Sequence, residues 1–242
     1  MNIAENLERV RQRIRIACDR AGRPLDSVTL LAVSKGHPPA TVQEAADQGL
    51  VLFGENRVQE AKAKIPLCPG PLRWHLVGHL QTNKCRDAVA LFEIIHSVDS
   101  LHLALEIQKT AERAAKSVPV LLEVNVAAEA SKFGYQPEVL LAELEQINAF
   151  SRLEIRGLMT IAPWTQDAER VRPVFRRLRA LKEQCEQKLG APLPHLSMGM
   201  TGDFEVAIEE GATLVRIGTA LFGARFATKS SGSLEDRMHT VG

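Results

Sequence analysis

The chain has 242 residues, 45% hydrophobic and 24% charged, and its 30 basic against 29 acidic side chains leave a formal net charge of +1. That length suits a single domain with one large core, close to the ~250 residues of a (β/α)₈ barrel. The even charge balance argues against a nucleic-acid surface, and no run approaches the ~18 consecutive apolar residues of a membrane span.

Residues 2–21 mix charge with apolar side chains at helical spacing, which predicts a helix ahead of the first strand rather than a secretory signal. Eight short apolar runs then follow: SVTLLAVS (27–34), LVLFG (50–54), RWHLV (73–77), EIIHSV (93–98), PVLLEVNV (119–126), LEIRGLMTI (153–161), PHLSM (194–198) and TLVRIG (213–218). Most are nearly continuous in apolar character, as strands covered on both faces are. Between them lie helices with readable starts and stops. Pro38 and Pro39 precede one that Gly49 ends; Ser100 precedes LHLALEIQKTAERAAK; Pro137 opens EVLLAELEQINAF; Asp167 precedes a long charged helix to Lys188 that Gly190 ends. Eight strands alternating with helices in one domain predict an α/β fold, a single parallel (β/α)₈ TIM barrel over residues 1–226. An open doubly wound sheet is disfavoured because the first strand leads into Ser34-Lys35-Gly36-His37 and no GxGxxG follows it. Residues 227–242, small and polar, read as a flexible tail. Cys18, Cys68, Cys85 and Cys185 form no CxxC pair and have no histidine at metal spacing, which predicts reduced thiols, no metal site and a cytoplasmic protein.

Three groups carry candidate chemistry. Lys35 follows a strand at its C-terminal end, where barrel active sites sit; position alone also suits a solvated loop lysine, whereas apolar walls there would favour a neutral amine that can attack an aldehyde. The segment His195-Leu-Ser-Met-Gly-Met-Thr-Gly-Asp203 and the Gly218-Thr219 pair after the last strand place glycines and free backbone N–H groups where barrels bind phosphate. Arg216 shares one strand face with Leu214 and Gly218 and, if buried, needs an acceptor. The residues alone favour a structural carboxylate, and a ring nitrogen of a bound ligand would also serve.

With these residues in view, the chain resembles the YggS/PROSC family of pyridoxal-phosphate homeostasis proteins. LLAVSK (30–35), FGENRVQE (53–60), WHLVGHLQTNK (74–84), HSVDS (96–100), LEVNVAAEASKFG (122–134), GLMTIAP (157–163), HLSMGMTGDFEVAIEEGAT (195–213) and VRIGTALFG (215–223) recur in order over residues 1–226, with Thr201 where the family usually has serine. The resemblance implies a fold-type III barrel related to the N-terminal domain of alanine racemase, with pyridoxal 5′-phosphate (PLP) bound covalently to Lys35 as a Schiff base. It assigns the phosphate to Ser197, Met200, Thr201, Gly218 and Thr219, the pyridine nitrogen to Arg216 and a polar contact to Asn56, with His79 and Met159 near the same mouth. Because arginine stays protonated, it donates to an unprotonated ring nitrogen and weakens the cofactor as an electron sink. An alanine-racemase-like enzyme takes its second base, a tyrosine, from a separate β-domain for which these 242 residues leave no room. The only tyrosine, Tyr135, could border the mouth but reads rather as a loop-surface residue, so a second base is expected to be missing. The expectation is a monomeric, non-catalytic carrier in vitamin B6 and amino-acid/keto-acid homeostasis that hands PLP to apoenzymes. An amino-acid racemase of the same fold and a barrel enzyme for a phosphorylated metabolite are the alternatives.

Overall fold

A computed structural model describes residues 2–129 and 132–223, so the expected tail at 227–242 lies outside the described residues. The strands are β1 Thr29–Val33, β2 Leu52–Glu55, β3 Arg73–Leu76, β4 Ile94–Val98, β5 Val118–Glu123, β6 Leu153–Met159, β7 His195–Ser197 and β8 Leu214–Ile217. All pair in parallel, each with the next, and β1 closes on β8 through Leu31 opposite Arg216 and Ala32 opposite Ile217. The helices are α1 Ile3–Arg20, α2 Pro39–Asp47, α3 Val58–Lys64, α4 Cys85–Leu91, α5 Leu101–Arg113, α6 Pro137–Asn148, α7 Arg172–Leu189, α8 Phe204–Glu209 and α9 Thr219–Phe222. One helix follows each strand, and α1 is extra: the predicted (β/α)₈ barrel with an N-terminal helix.

Strand alternation separates two cores. In β8, Val215 and Ile217 join the large cluster shared with the surrounding helices, whereas Leu214 packs with Ile94, Leu121 and Met159 in a separate interior cluster. Gly157 lets β6 and β7 approach: a Cβ there would lie 1.9 Å from the His195 carbonyl oxygen. The α1 helix starts where the Asn2 side chain accepts the Glu5 N–H and then packs on α8 and α9. Its Asn6 Nδ2 donates to the Leu221 carbonyl at 2.8 Å, and Arg13 pairs with Glu205 at 2.6 Å while lying over the Phe204 ring.

Two expectations change. The long helix begins as a 3₁₀ turn over Ala168–Val171, and α7 proper starts at Arg172, because Pro173 in its first turn has no N–H to continue an earlier ladder. Tyr135 is not a surface residue: it is 3% exposed. The loop after β5 folds back on the strand, with Tyr135 N–H donating to Glu123 O at 2.8 Å and Asn125 N–H to Tyr135 O at 3.0 Å. Gly134, at φ +115°, permits that return; a side chain there would strike the Asn125 nitrogen.

Candidate functional site

The C-terminal ends of the strands surround a cavity of about 590 Å³. Of the eight residues assigned to a ligand from sequence, Lys35, Asn56, Met200, Thr201, Arg216, Gly218 and Thr219 line it. Ser197 does not; it lies fully buried beneath. Met159 is also fully buried, in the interior cluster below the mouth, and His79 sits outside the lining with Nδ1 3.1 Å from Asp99 and its ring stacked on Phe133. Asp203, at the end of the glycine-containing segment, is in the lining too, and residues not assigned a ligand from sequence extend the wall: Lys132 from the loop after β5 and Ile161 to Thr165 from the loop after β6. Trp164 among them is 85% exposed. These loops carry no periodicity, so nothing in their sequence signals that they converge.

The backbone on both sides of Lys35 is gripped by buried charge. Lys64 Nζ donates to Ser34 O at 2.8 Å, to Glu55 Oε1 at 2.7 Å and to Glu60 Oε1 at 2.8 Å. Ser34 Oγ donates to Glu55 at 2.7 Å, and Gly36 N–H donates to Glu60 at 2.6 Å. Glu55 and Lys64 are 0% and 5% exposed. Burial pushes the Glu55 carboxyl above its ordinary range, against the pull of Lys64 and Ser34. For Glu60 burial also works upward, but Lys64 and the Gly36 N–H outweigh it and hold the group low. The turn that carries Lys35 is thus fixed at Ser34 and at Gly36, which sets where its side chain enters the cavity.

Arg216 does not have the carboxylate partner expected of it: among the described residues no carboxylate oxygen lies within ion-pairing distance. Its Nη1 donates to Ser197 Oγ and its Nη2 to Thr160 O, both at 2.8 Å. Burial lowers its pKa to about 10, while the more distant Asp203 and Glu123 oppose the shift. The bonds continue downward. Ser197 Oγ is 3.0 Å from His96 Nδ1, and His96 Nε2 is 3.0 Å from His75 Nδ1. A neutral His96 donates from one ring nitrogen and accepts at the other, so one line of hydrogen bonds joins Ser197 to His75, its direction set by the tautomer. Burial pushes both imidazoles down, His75 to about 4, so the chain is neutral near pH 7. Neutral partners occupy two of the five guanidinium donors, leaving others for the cavity.

The turns after β7 and β8 form the other wall. Gly199, at φ +91°, packs so closely that a Cβ would lie 2.6 Å from the Ala207 side chain. Thr201 Oγ1 accepts the Ala220 N–H at 3.3 Å and so ties one turn to the other. The Met200 N–H is bonded to Asp203 at 2.6 Å. The N–H groups of Thr201, Gly202 and Thr219 have no acceptor among the described residues.

Comparison with known proteins agrees with this geometry. Residues 5–226 match the family model described as the alanine racemase N-terminal domain. The chain is 47% identical over 226 residues to the pyridoxal phosphate homeostasis protein of Aquifex aeolicus, covering 93% of this chain and 99% of that one. It is 39% identical over 239 residues to the protein of that name from Escherichia coli, covering 94% and 99%. Among solved structures it resembles PipY of Synechococcus elongatus with PLP bound, at 41% identity and TM-score 0.81, over 91% of this chain and all of that one. Alanine racemase of Clostridium difficile, 15% identical with TM-score 0.74 over 94% of this chain and 58% of that one, shares the fold. Barrel, cavity lining and full-length identity agree, and the chain belongs to the pyridoxal phosphate homeostasis protein family, built on the alanine racemase N-terminal-domain fold.

Proposed function

We propose that the cavity holds PLP through an imine bond to Lys35 and that the protein stores and releases the cofactor without catalysing amino-acid chemistry. The supporting observation is that one cavity brings together a clamped lysine and, among the described residues, an arginine with no carboxylate partner and two glycine-containing turns with unused N–H donors. Those groups fit the aldehyde, ring nitrogen and phosphate of PLP in kind. Thr201, Gly202 and Thr219 would hold the phosphate, Arg216 would donate to the ring nitrogen, and Asn56 would border the ring. PLP supplies a reactive aldehyde and an electron sink when bound. A donating arginine blunts the second property and leaves the first.

Ser197 takes a different part in this reading. Its hydroxyl accepts from Arg216 and so orients the guanidinium instead of the phosphate. The absence of catalysis is supported by the position of Tyr135: the sole tyrosine is buried against β5 and lines no part of the cavity. The reading extends to a cytoplasmic monomer that passes PLP to apoenzymes, in keeping with four free, buried cysteines.

An absorbance spectrum of the protein with PLP, before and after borohydride, tests the reading. An imine band that borohydride fixes in the wild type, and that Lys35→Ala lacks, is the expected result. A band that persists in Lys35→Ala overturns the assignment. Incubation with L-alanine in deuterated water is expected to show no Lys35-dependent exchange of the Cα hydrogen, and rapid exchange would establish the racemase alternative instead.

A further inference from the structure

Beside the main cavity lies a smaller one of about 180 Å³, lined by Glu123, Val124, Asn125, Lys132, Phe133 and Ile161. Lys132 and Ile161 line both, so the two spaces adjoin. Glu123 ends β5 and is 6% exposed. Its carboxyl has no hydrogen-bond or ion-pair partner among the described residues, yet it forms part of the wall of this space. A carboxyl so deeply buried is normally paired. The Asn125 side chain is spent on its own loop, bonding Glu129. Lys132 Nζ reaches Glu129 at 2.6 Å and Ile161 O at 3.3 Å, which leaves one of its three donors.

Among the lining side chains, the hydrogen-bonding capacity left over is therefore that of one acid, Glu123, and one ammonium donor, on Lys132. At ~30 Å³ per water the space accommodates about six waters, the size of a ligand with about six non-hydrogen atoms. A single cation would satisfy Glu123 and leave the spare Lys132 donor unmet, and a single anion would do the reverse. A small zwitterion satisfies both.

We propose that this cavity is a binding subsite for a small free amino acid of about alanine's size, with its ammonium on Glu123 and its carboxylate on Lys132. The subsite stands on this chain's own residues. Its placement next to a cofactor rests on the PLP reading above, and if both hold, an amino acid is delivered at the edge of the pocket where Lys35 holds PLP. Phe133, also in the lining, is 57% exposed and its ring stacks on His79 at 3.8 Å. The charged and titratable groups around Glu123 are Asp99, paired with His79 after β4, Arg216 on β8 and Lys132. Asp99 adds to the pull on an ammonium.

Saturation-transfer NMR of L-alanine with cofactor-free protein tests the subsite apart from PLP. Transfer to the alanine methyl group is expected in the wild type and is expected to need about tenfold more alanine in Glu123→Gln or Lys132→Met, the loss of one charge contact. Glu123→Asp, which keeps the acid, is expected to recover part of the signal. No transfer in the wild type, or equal transfer in the wild type and both charge-removing variants, overturns the proposal. The PLP reading is judged separately by the borohydride-fixed band. A wild type with the band and no alanine transfer rejects only the subsite, and alanine transfer without a band rejects only the PLP assignment.

Discussion

At the scale of single residues, Glu123 trades stability for a free carboxyl. Burial, with a further push from Asp99 and against Arg216, raises its pKa from an ordinary 4.5 to about 7. The folded state therefore holds a proton that the unfolded chain gives up. The stability of the neutral form is fully present below the unfolded pKa and drains away as pH rises from about 4.5 through 7. At ~1.4 kcal/mol per tenfold change in proton affinity the loss reaches about 3 kcal/mol above pH 7. Glu123→Gln removes that cost: urea unfolding is expected to find it equal to the wild type near pH 4.5 and more stable at pH 8. A stabilised variant that no longer binds alanine would separate folding from recognition. Arg216 obeys a different constraint. A lysine in its place cannot reach Ser197 Oγ, Thr160 O and the cavity together from one ammonium. Arg216→Lys is expected to weaken PLP retention about tenfold, read from the imine band during dialysis.

At the scale of elements, the turn after β1 depends on α3. Lys64 is the cation that makes Glu55 tolerable at 0% exposure. Lys64→Met should cost about 3–5 kcal/mol by leaving a buried carboxylate unpaired, and adding Glu55→Gln should recover most of it. Equal denaturation midpoints for the single and double variants would contradict this account. The strand pair β6–β7 has a comparable dependence on Gly157. Its φ of +154° and the 1.9 Å approach to His195 O leave no room for a methyl group. Gly157→Ala should destabilise by about 3 kcal/mol or more, seen as a lowered Tm.

At the scale of the whole molecule, the barrel hides its thiols. Cys18, Cys68, Cys85 and Cys185 are between 0% and 6% exposed. Burial raises all four, Cys85 and Cys185 to about 11. A thiol reagent at neutral pH is expected to find almost nothing in the native protein and four equivalents in denaturant. Fast reaction of any one thiol in the native state would show local opening of the helical shell.

All eight strands and the N-terminal helix were legible in the chain, because apolar runs and helical spacing are local patterns. Lys35, Arg216 and the two glycine turns were legible because each breaks such a pattern at a strand end. The short helices α3 and α4 begin without a side-chain cap, so no start signal marks them. What folding alone decided is partnership. That Arg216 meets a serine and a carbonyl instead of a carboxylate and that Ser197 lies under the arginine depend on groups far apart in the chain, whereas the inward turn of Tyr135 and the cavity that Glu123 and Lys132 line come from one loop folding back on β5. Spacing along a strand says which face a side chain takes; only closure of the barrel brings the other strands' groups to it, and a buried charge's chemistry is set by what it meets there.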